Sequence, residues 1–195
     1  MARLLALLIG TLALASIRAQ FDTLPLPMAG WPLEARLWFM AGFFTILSNL
    51  GAAGLMFAVA RGWKMPGRVA AGMVVALVMV GLGYHLLLAG LWRPEGMAWW
   101  ANQGLHSAMP LAVSLWWLAF ADKRIGWADL PWWLLWPGIY CVYALLRGYL
   151  TGAWPYPFLD GDALGPLRLS VNILGFLAGF LALGAAMVGV ARSVR

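Results

Sequence analysis

Charge is the scarcest property of this chain. Lys and Arg number 13 and Asp and Glu 7 in 195 residues, so 10% of positions are charged. An ordinary soluble domain carries about a quarter. The single cysteine, Cys141, excludes an intrachain disulfide and any multi-cysteine metal site. It reads as a small packing residue within a helix. There are only two histidines, His85 and His106. The net charge of +6 does not point to nucleic acid, because the basic residues are scattered at the ends of apolar stretches. No polar segment is long enough to build a second core, and there is neither an internal repeat nor a low-complexity tract.

What fills the chain instead is hydrocarbon. Hydrophobic residues make up 64% and the mean hydropathy is +0.83. These values predict an integral membrane protein: one domain over residues 1–195, all-α, a polytopic helical bundle. A spanning helix needs about 20 mostly apolar residues, and about six stretches qualify. They are residues 3–19, 36–60, 69–92, 99–121, 131–150 and 167–191. The connections hold the breakers: Pro25, Pro27 and Pro32; Pro66 and Gly67; Pro94 and Gly96; Gly126 and Pro131; and Pro155, Pro157, Gly161, Gly165 and Pro166. The first stretch has features of a signal peptide, with Arg3, a leucine-rich run and small residues near Ala15. Its near-spanning length favours a retained helix over cleavage near Ala19.

Alternating the spans puts Arg3, Arg61, Lys64, Arg68, Lys123, Arg124, Arg192 and Arg195 on one face. Arg18, Arg36, Arg93 and Arg168 fall on the other, mixed with Asp22, Glu34, Glu95, Asp160 and Asp162. The positive-inside rule makes the first face cytoplasmic, with both termini inside, in the cell (inner) membrane. Tryptophans such as Trp31, Trp38, Trp92, Trp99, Trp132 and Trp154 near the span ends form the expected aromatic belt.

A polar side chain in hydrocarbon is costly and marks a site by default. Thr45, Ser48 and Asn49 share one face of the second span at i, i+3 and i+4, and Asn102 and His106 share a face of the fourth at i, i+4. At 1.5 Å per residue Thr45 lies roughly 14 Å, and His85 and His106 roughly 11 Å, below the outer span ends. Tyr143, Arg147, Ser170 and Asn172 also fall in the outer half, whereas the inner halves are almost wholly apolar apart from Ser114. Pro110, four residues after His106, cannot donate to the His106 carbonyl and is expected to kink the helix and open a cavity.

Thr45 and His106 fit a nucleophile and its base, with Asn49 or Asn102 orienting the imidazole or stabilising an oxyanion. Thr45 alone fits a mid-helix threonine bonded back to its own helix. His85 and His106 fit axial haem ligands, while His85 alone fits an interhelical bond beside Tyr84. Arg147 fits either snorkelling or a clamp for a carboxylate or phosphate head group. The stiff aromatic run from Trp154 to Asp160 fits a cap over a cavity or an interfacial turn, with Asp160 paired to Arg147 or Arg168. Gly175 and Gly179 form a GxxxG pair expected to pack within the chain.

Three stretches, Phe43-Phe44-Thr45-Ile46-Leu47-Ser48-Asn49, Asn102-Gln103-Gly104-Leu105-His106-Ser107-Ala108-Met109-Pro110 and Tyr156-Pro157-Phe158-Leu159-Asp160, carry a resemblance. In their order and spacing the chain resembles the androgen-induced protein and androgen-dependent TFPI-regulator family and its bacterial relatives. That resemblance implies a multi-span intramembrane threonine hydrolase cleaving fatty acid esters of hydroxy fatty acids. It assigns the nucleophile to Thr45 and the histidine to His106.

The reading is an intramembrane lipid ester hydrolase with Thr45 and His106 as catalytic residues. Ser48, Asn49, His85, Asn102, Tyr143, Arg147 and Asn172 are in supporting or substrate-binding roles. Its partner is a lipid-like acyl ester; no cofactor, metal or nucleic acid is expected. Two alternatives stand beside it: a haem-binding electron-transfer protein using His85 and His106, and a non-catalytic binding or scaffold protein whose polar groups hold helices together.

Overall fold

A computed structural model describes every residue except 26, 27, 29 and 195. Pro27 and Arg195, read above as a loop breaker and a tail charge, lie outside the described residues. Among those residues the chain is all helical, with no strand. We number the helices α1 (Ala2–Asp22), α2 (Leu33–Met40), α3 (Phe44–Ala60), α4 (Gly67–Gly83), α5 (Gly96–Gln103), α6 (Met109–Phe120), α7 (Leu130–Thr151) and α8 (Gly161–Ser193). A π-helical turn, Tyr84–Leu88, extends α4, and a second, Gly104–Ala108, joins α5 to α6.

The elements form an up-and-down bundle. Ala2 accepts a bond from Trp116 Nε1 at the end of α6, and Arg3 lies beside Gly62. Gly67 is pressed against the Asp122 carbonyl, and Arg192 stands over the Trp127 ring. The start of α1, the end of α8 and the 61–66 and 121–129 connections therefore meet at one end. At the other end Arg36 donates to the Phe21 carbonyl and stacks on its ring. The core is aliphatic and methionine-rich along α1, α3, α4 and α6, with Trp117 and Met56 fully enclosed. Gly10 leaves room for the Phe57 ring, which lets α1 lie close against α3.

Among the described residues three helices, α1, α4 with its π turn, and α8, are long and apolar enough to cross a membrane; the α2–α3 pair makes a fourth if counted as one broken span. The six-span count is thus not met by length and apolarity. The reason is visible in the sequence. The run from Gly96 to Phe120 is divided by a π turn, and α7 carries three tryptophans, Pro131, Pro137 and Arg147 within 22 residues. The stretch read as one helix over residues 36–60 is two helices bent by 93° at Ala41, Gly42 and Phe43. α8 also holds a kink, at Gly165 (φ 69°), just before Pro166.

The break before α3 matters most, because free backbone groups in an apolar bundle need partners. α7 supplies them. Tyr140 donates to the Gly42 carbonyl at 2.8 Å and Tyr143 to the Ala41 carbonyl at 3.1 Å. Arg147 donates to the Trp38 carbonyl at 2.6 Å, also bonds Tyr143, and lies 4.4 Å over the Trp38 ring. Positions 140, 143 and 147 lie on one helical face. One face of α7 therefore holds two carbonyls of the break and one from the last turn of α2.

Candidate active site

The break changes the setting of Thr45. It is not a mid-helix threonine but the second residue of α3, whose N-cap, Phe43, is extended and offers no side-chain cap. The first backbone N–H groups of a helix lack intrahelical acceptors and carry the positive end of its dipole. The Thr45 N–H donates to the Tyr156 hydroxyl at 3.4 Å. The Thr45 side chain faces His106: Oγ1 lies 3.4 Å from Nε2.

The partners of the imidazole decide its tautomer. His106 Nδ1 lies 3.0 Å from the Asn102 carbonyl oxygen, which can only accept. Nδ1 therefore carries the proton, and in the neutral ring Nε2 presents its lone pair to Thr45. Asn102 meets the imidazole through its backbone carbonyl and not its side chain, whose Nδ2 is buried without a partner. The Tyr84 ring lies flat on His106, with centroids 4.2 Å apart and planes 27° apart, so its orientation is fixed from a second side.

Local backbone geometry sets this pose. Pro110 leaves the His106 carbonyl without its i+4 donor, and the helix answers with a π turn over Gly104–Ala108. Here the expected Pro110 effect appears as a π turn. The freed carbonyl packs on Gly81 of α4, where a Cβ would come within 2.8 Å of it.

Thr45 and His106 both line a cavity of about 80 Å³ between α3, α4, α7, α8 and the 154–160 loop. Small-molecule sites are mostly apolar with a few convergent polar groups. This one matches: Phe44, Met79, Leu88, Phe176, Leu177 and Phe180 form walls around Thr45, His106, Tyr140 and Tyr156. Tyr156 and Leu159 are buried, and the Tyr156, Phe158 and Phe176 rings stack in sequence. Of the two readings of the loop, the cap over a cavity is the observed one. Asp160 pairs with neither arginine; it caps α8 by accepting from the Ala163 N–H at 2.9 Å.

Most supporting residues do other work. Ser48 turns away and accepts from Trp136 Nε1 at 2.9 Å, so the second span does not present one polar face. Asn49, fully enclosed, donates to the Thr45 and Leu105 carbonyls and ties α3 to the π turn. Neither Asn49 nor Asn102 offers a side-chain donor to the cavity. Arg147 neither snorkels nor clamps a head group, being buried at the break. Tyr143 holds that break, and Asn172 anchors the loop by donating to the Phe158 carbonyl at 3.0 Å. Cys141 lines the cavity wall. Gly179 abuts Met79 of α4, as expected for packing within the chain.

His85 is exposed and bonds Ser107 at 3.0 Å, and Ser107 in turn donates to Gln103. His106 has both ring nitrogens engaged within the chain, and axial ligands must aim at one iron. The pair does not fit haem. No cluster of three or more metal-ligating side chains occurs among the described residues.

Sequence reasoning missed Tyr156 and Tyr84 as site residues. The loop was noted as aromatic, and only its fold-back turns one phenol onto the α3 N-terminus. No protein-family model, curated protein or solved structure matches this chain.

Proposed function

We propose that this protein is an intramembrane lipid ester hydrolase with Thr45 as nucleophile and His106 as general base. The observation that carries the reading is the chain of contacts from the Asn102 carbonyl through Nδ1–H and Nε2 to Oγ1 of Thr45, opening into an apolar cavity. A hydroxyl needs a base within hydrogen-bond reach to become a nucleophile, and resting separations of this kind shorten when substrate binds.

Thr45 Oγ1 attacks the ester carbonyl carbon while its proton passes to His106 Nε2. The oxyanion forms beside the first N–H groups of α3 and the Tyr156 hydroxyl, where fixed dipoles stabilise charge without reorganising. Collapse expels the alcohol oxygen, which takes the proton from His106 and leaves an acyl-threonine. Water attacks that ester, again giving a proton to His106, and the acid departs with Thr45 restored. The cavity's apolar lining suits an acyl chain and excludes bulk water.

The membrane frame belongs to the same proposal. Six passes, with both termini on the cytoplasmic side of the inner membrane, are supported by the meeting of basic ends and connections at one end of the bundle. The helical run Gly96–Phe120 and α7 complete the count. The site then lies toward the outer leaflet, and substrate enters sideways between helices. The ester class suggested by the resemblance, a fatty acid ester of a hydroxy fatty acid, fits this entry.

The test is labelling by a fluorophosphonate probe in membranes. Wild type becomes labelled at Thr45, and Thr45→Ala and His106→Ala each abolish labelling at normal expression. Full labelling of Thr45→Ala would end the assignment.

A further inference from the structure

Directly below the Thr45–His106 cavity lies a second, of about 350 Å³, walled by α3, α4 and α7, which also wall the first. On α3 the upper cavity takes Phe44 and Thr45, and the lower takes a stripe from Leu47 to Leu55. On α4 the boundary falls between Ala76 and Met79, and on α7 between Trp136 and Pro137. The change from one cavity to the other thus occurs at one level on all three helices. Two rings meet there: Phe44 and Trp136, with centroids 6.1 Å apart and planes tilted by 33°. Trp136 is pinned by its bond to Ser48, which is buried one turn below Thr45.

We propose that Trp136 is a chain-length gate between the acyl site at Thr45 and a second acyl compartment beneath it. This inference rests on the ester-hydrolase reading above. The lower cavity runs along α3 from Leu47 to Leu55, eight steps or about 12 Å of helix. Its facing walls on α3 and α4 are kept low by Gly51, Ala52, Gly72 and Ala76. A Cβ on Gly51 meets nothing within 4 Å, so nothing in the chain fills that space. Its rim is open, with Gly51, Trp132 and Trp136 exposed on it, so a chain arriving from the lipid can lie along it. An acyl chain suits it, since the lining is apolar apart from Ser48, Arg68 and the indole N–H groups. Short chains end above the Phe44–Trp136 contact. Long chains push the Trp136 ring aside, break its bond to Ser48 and extend downward.

The test compares labelling rates of the full chain, in lipid nanodiscs, with butyl and hexadecyl fluorophosphonates. Trp136→Leu removes the gate and raises the hexadecyl-to-butyl ratio by about tenfold or more, the discrimination that hydrophobic pockets achieve. Gly51→Leu fills open space in the lower compartment, lowers the ratio in the wild-type background, and reverses the gain in the double variant. Ser48→Ala unpins the ring and shifts the ratio upward by less than Trp136→Leu. Because Gly51→Leu introduces no clash, it keeps the question answerable if Trp136→Leu does not fold. Labelled variants that all share the wild-type ratio would overturn the gate, make the lower cavity a resting place for annular lipid only, and leave the hydrolase reading standing. Absence of labelling at Thr45 in wild type would overturn both.

Discussion

Tyr140→Phe is the sharpest probe of how the site is held. The substitution keeps the ring, which packs edge-on against Phe44 at 5.0 Å, and deletes only the hydroxyl that donates to Gly42. Tyr140 is 6% exposed, so water does not readily replace the lost donor. A buried carbonyl left without a partner costs about 1–3 kcal/mol in a water-soluble protein. Interhelical hydrogen bonds in a membrane bundle average about 0.6 and reach about 1.7 kcal/mol, because the unfolded chain in lipid also finds partners. The lower range applies to an apolar bundle, so about 1 kcal/mol is expected, or a fall in Tm of about 2–4 °C. The effect on labelling should exceed this. Gly42 is three residues from Thr45, and a misplacement of about 1 Å at a reacting group can cost about 100-fold in rate. The assay is thermal unfolding in detergent beside fluorophosphonate labelling kinetics, with Tyr143→Phe as the second rung. A Tyr140→Phe protein with wild-type Tm and wild-type labelling would refute the claim that α7 holds the break and thereby positions Thr45.

Tyr156→Phe keeps the stack on Phe158 but removes the phenol oxygen, so labelling should slow by about 100-fold or more, as for the loss of one oxyanion donor. Its Tm should fall by a few degrees at most, because the Thr45 N–H loses its acceptor, and a labelling rate equal to wild type would remove Tyr156 from the site. Pro110→Ala restores an N–H opposite the His106 carbonyl and favours ordinary helix over the π turn, gaining up to about 3 kcal/mol of helix propensity. The expected result is a raised or unchanged Tm with weakened labelling, because His106 leaves Thr45; strong labelling in that variant would mean the π turn does not position the imidazole.

A common logic joins these sites. Thr45 stands where a helix begins and His106 where a helix bulges, so both members of the pair sit at backbone irregularities. Each irregularity frees backbone polar groups, and each is answered from elsewhere: by Tyr140, Tyr143 and Arg147 at the break, and by the close approach of Gly81 at the bulge. Such departures persist only when surrounding contacts hold them, and they concentrate at functional sites.

How much of this was legible beforehand differs residue by residue. The helical class, the apolar bundle and the pairing of Thr45 with His106 follow from sequence, because polar groups in hydrocarbon are costly enough to be few and informative. Pro110 announced a disturbance at His106, since a missing N–H is a local fact. Ser48, Asn49, Arg147 and Asn172 were legible as costly polar residues but not in what they do. Their partners, Trp136, Leu105, Trp38 and Phe158, lie 14 to 109 positions away. The break at Ala41-Gly42-Phe43 was hidden for the same reason. Its local signal is one glycine, and the donors that make it tolerable come from α7, about a hundred residues later. Composition and period thus marked on their own which polar groups are costly enough to need partners, because that cost is a property each residue carries with it. Which carbonyl sets the imidazole tautomer, which phenol meets the start of α3 and where the cavity is floored were decided only by the packing of helices distant in the chain, because hydrogen bonds need both partners in place.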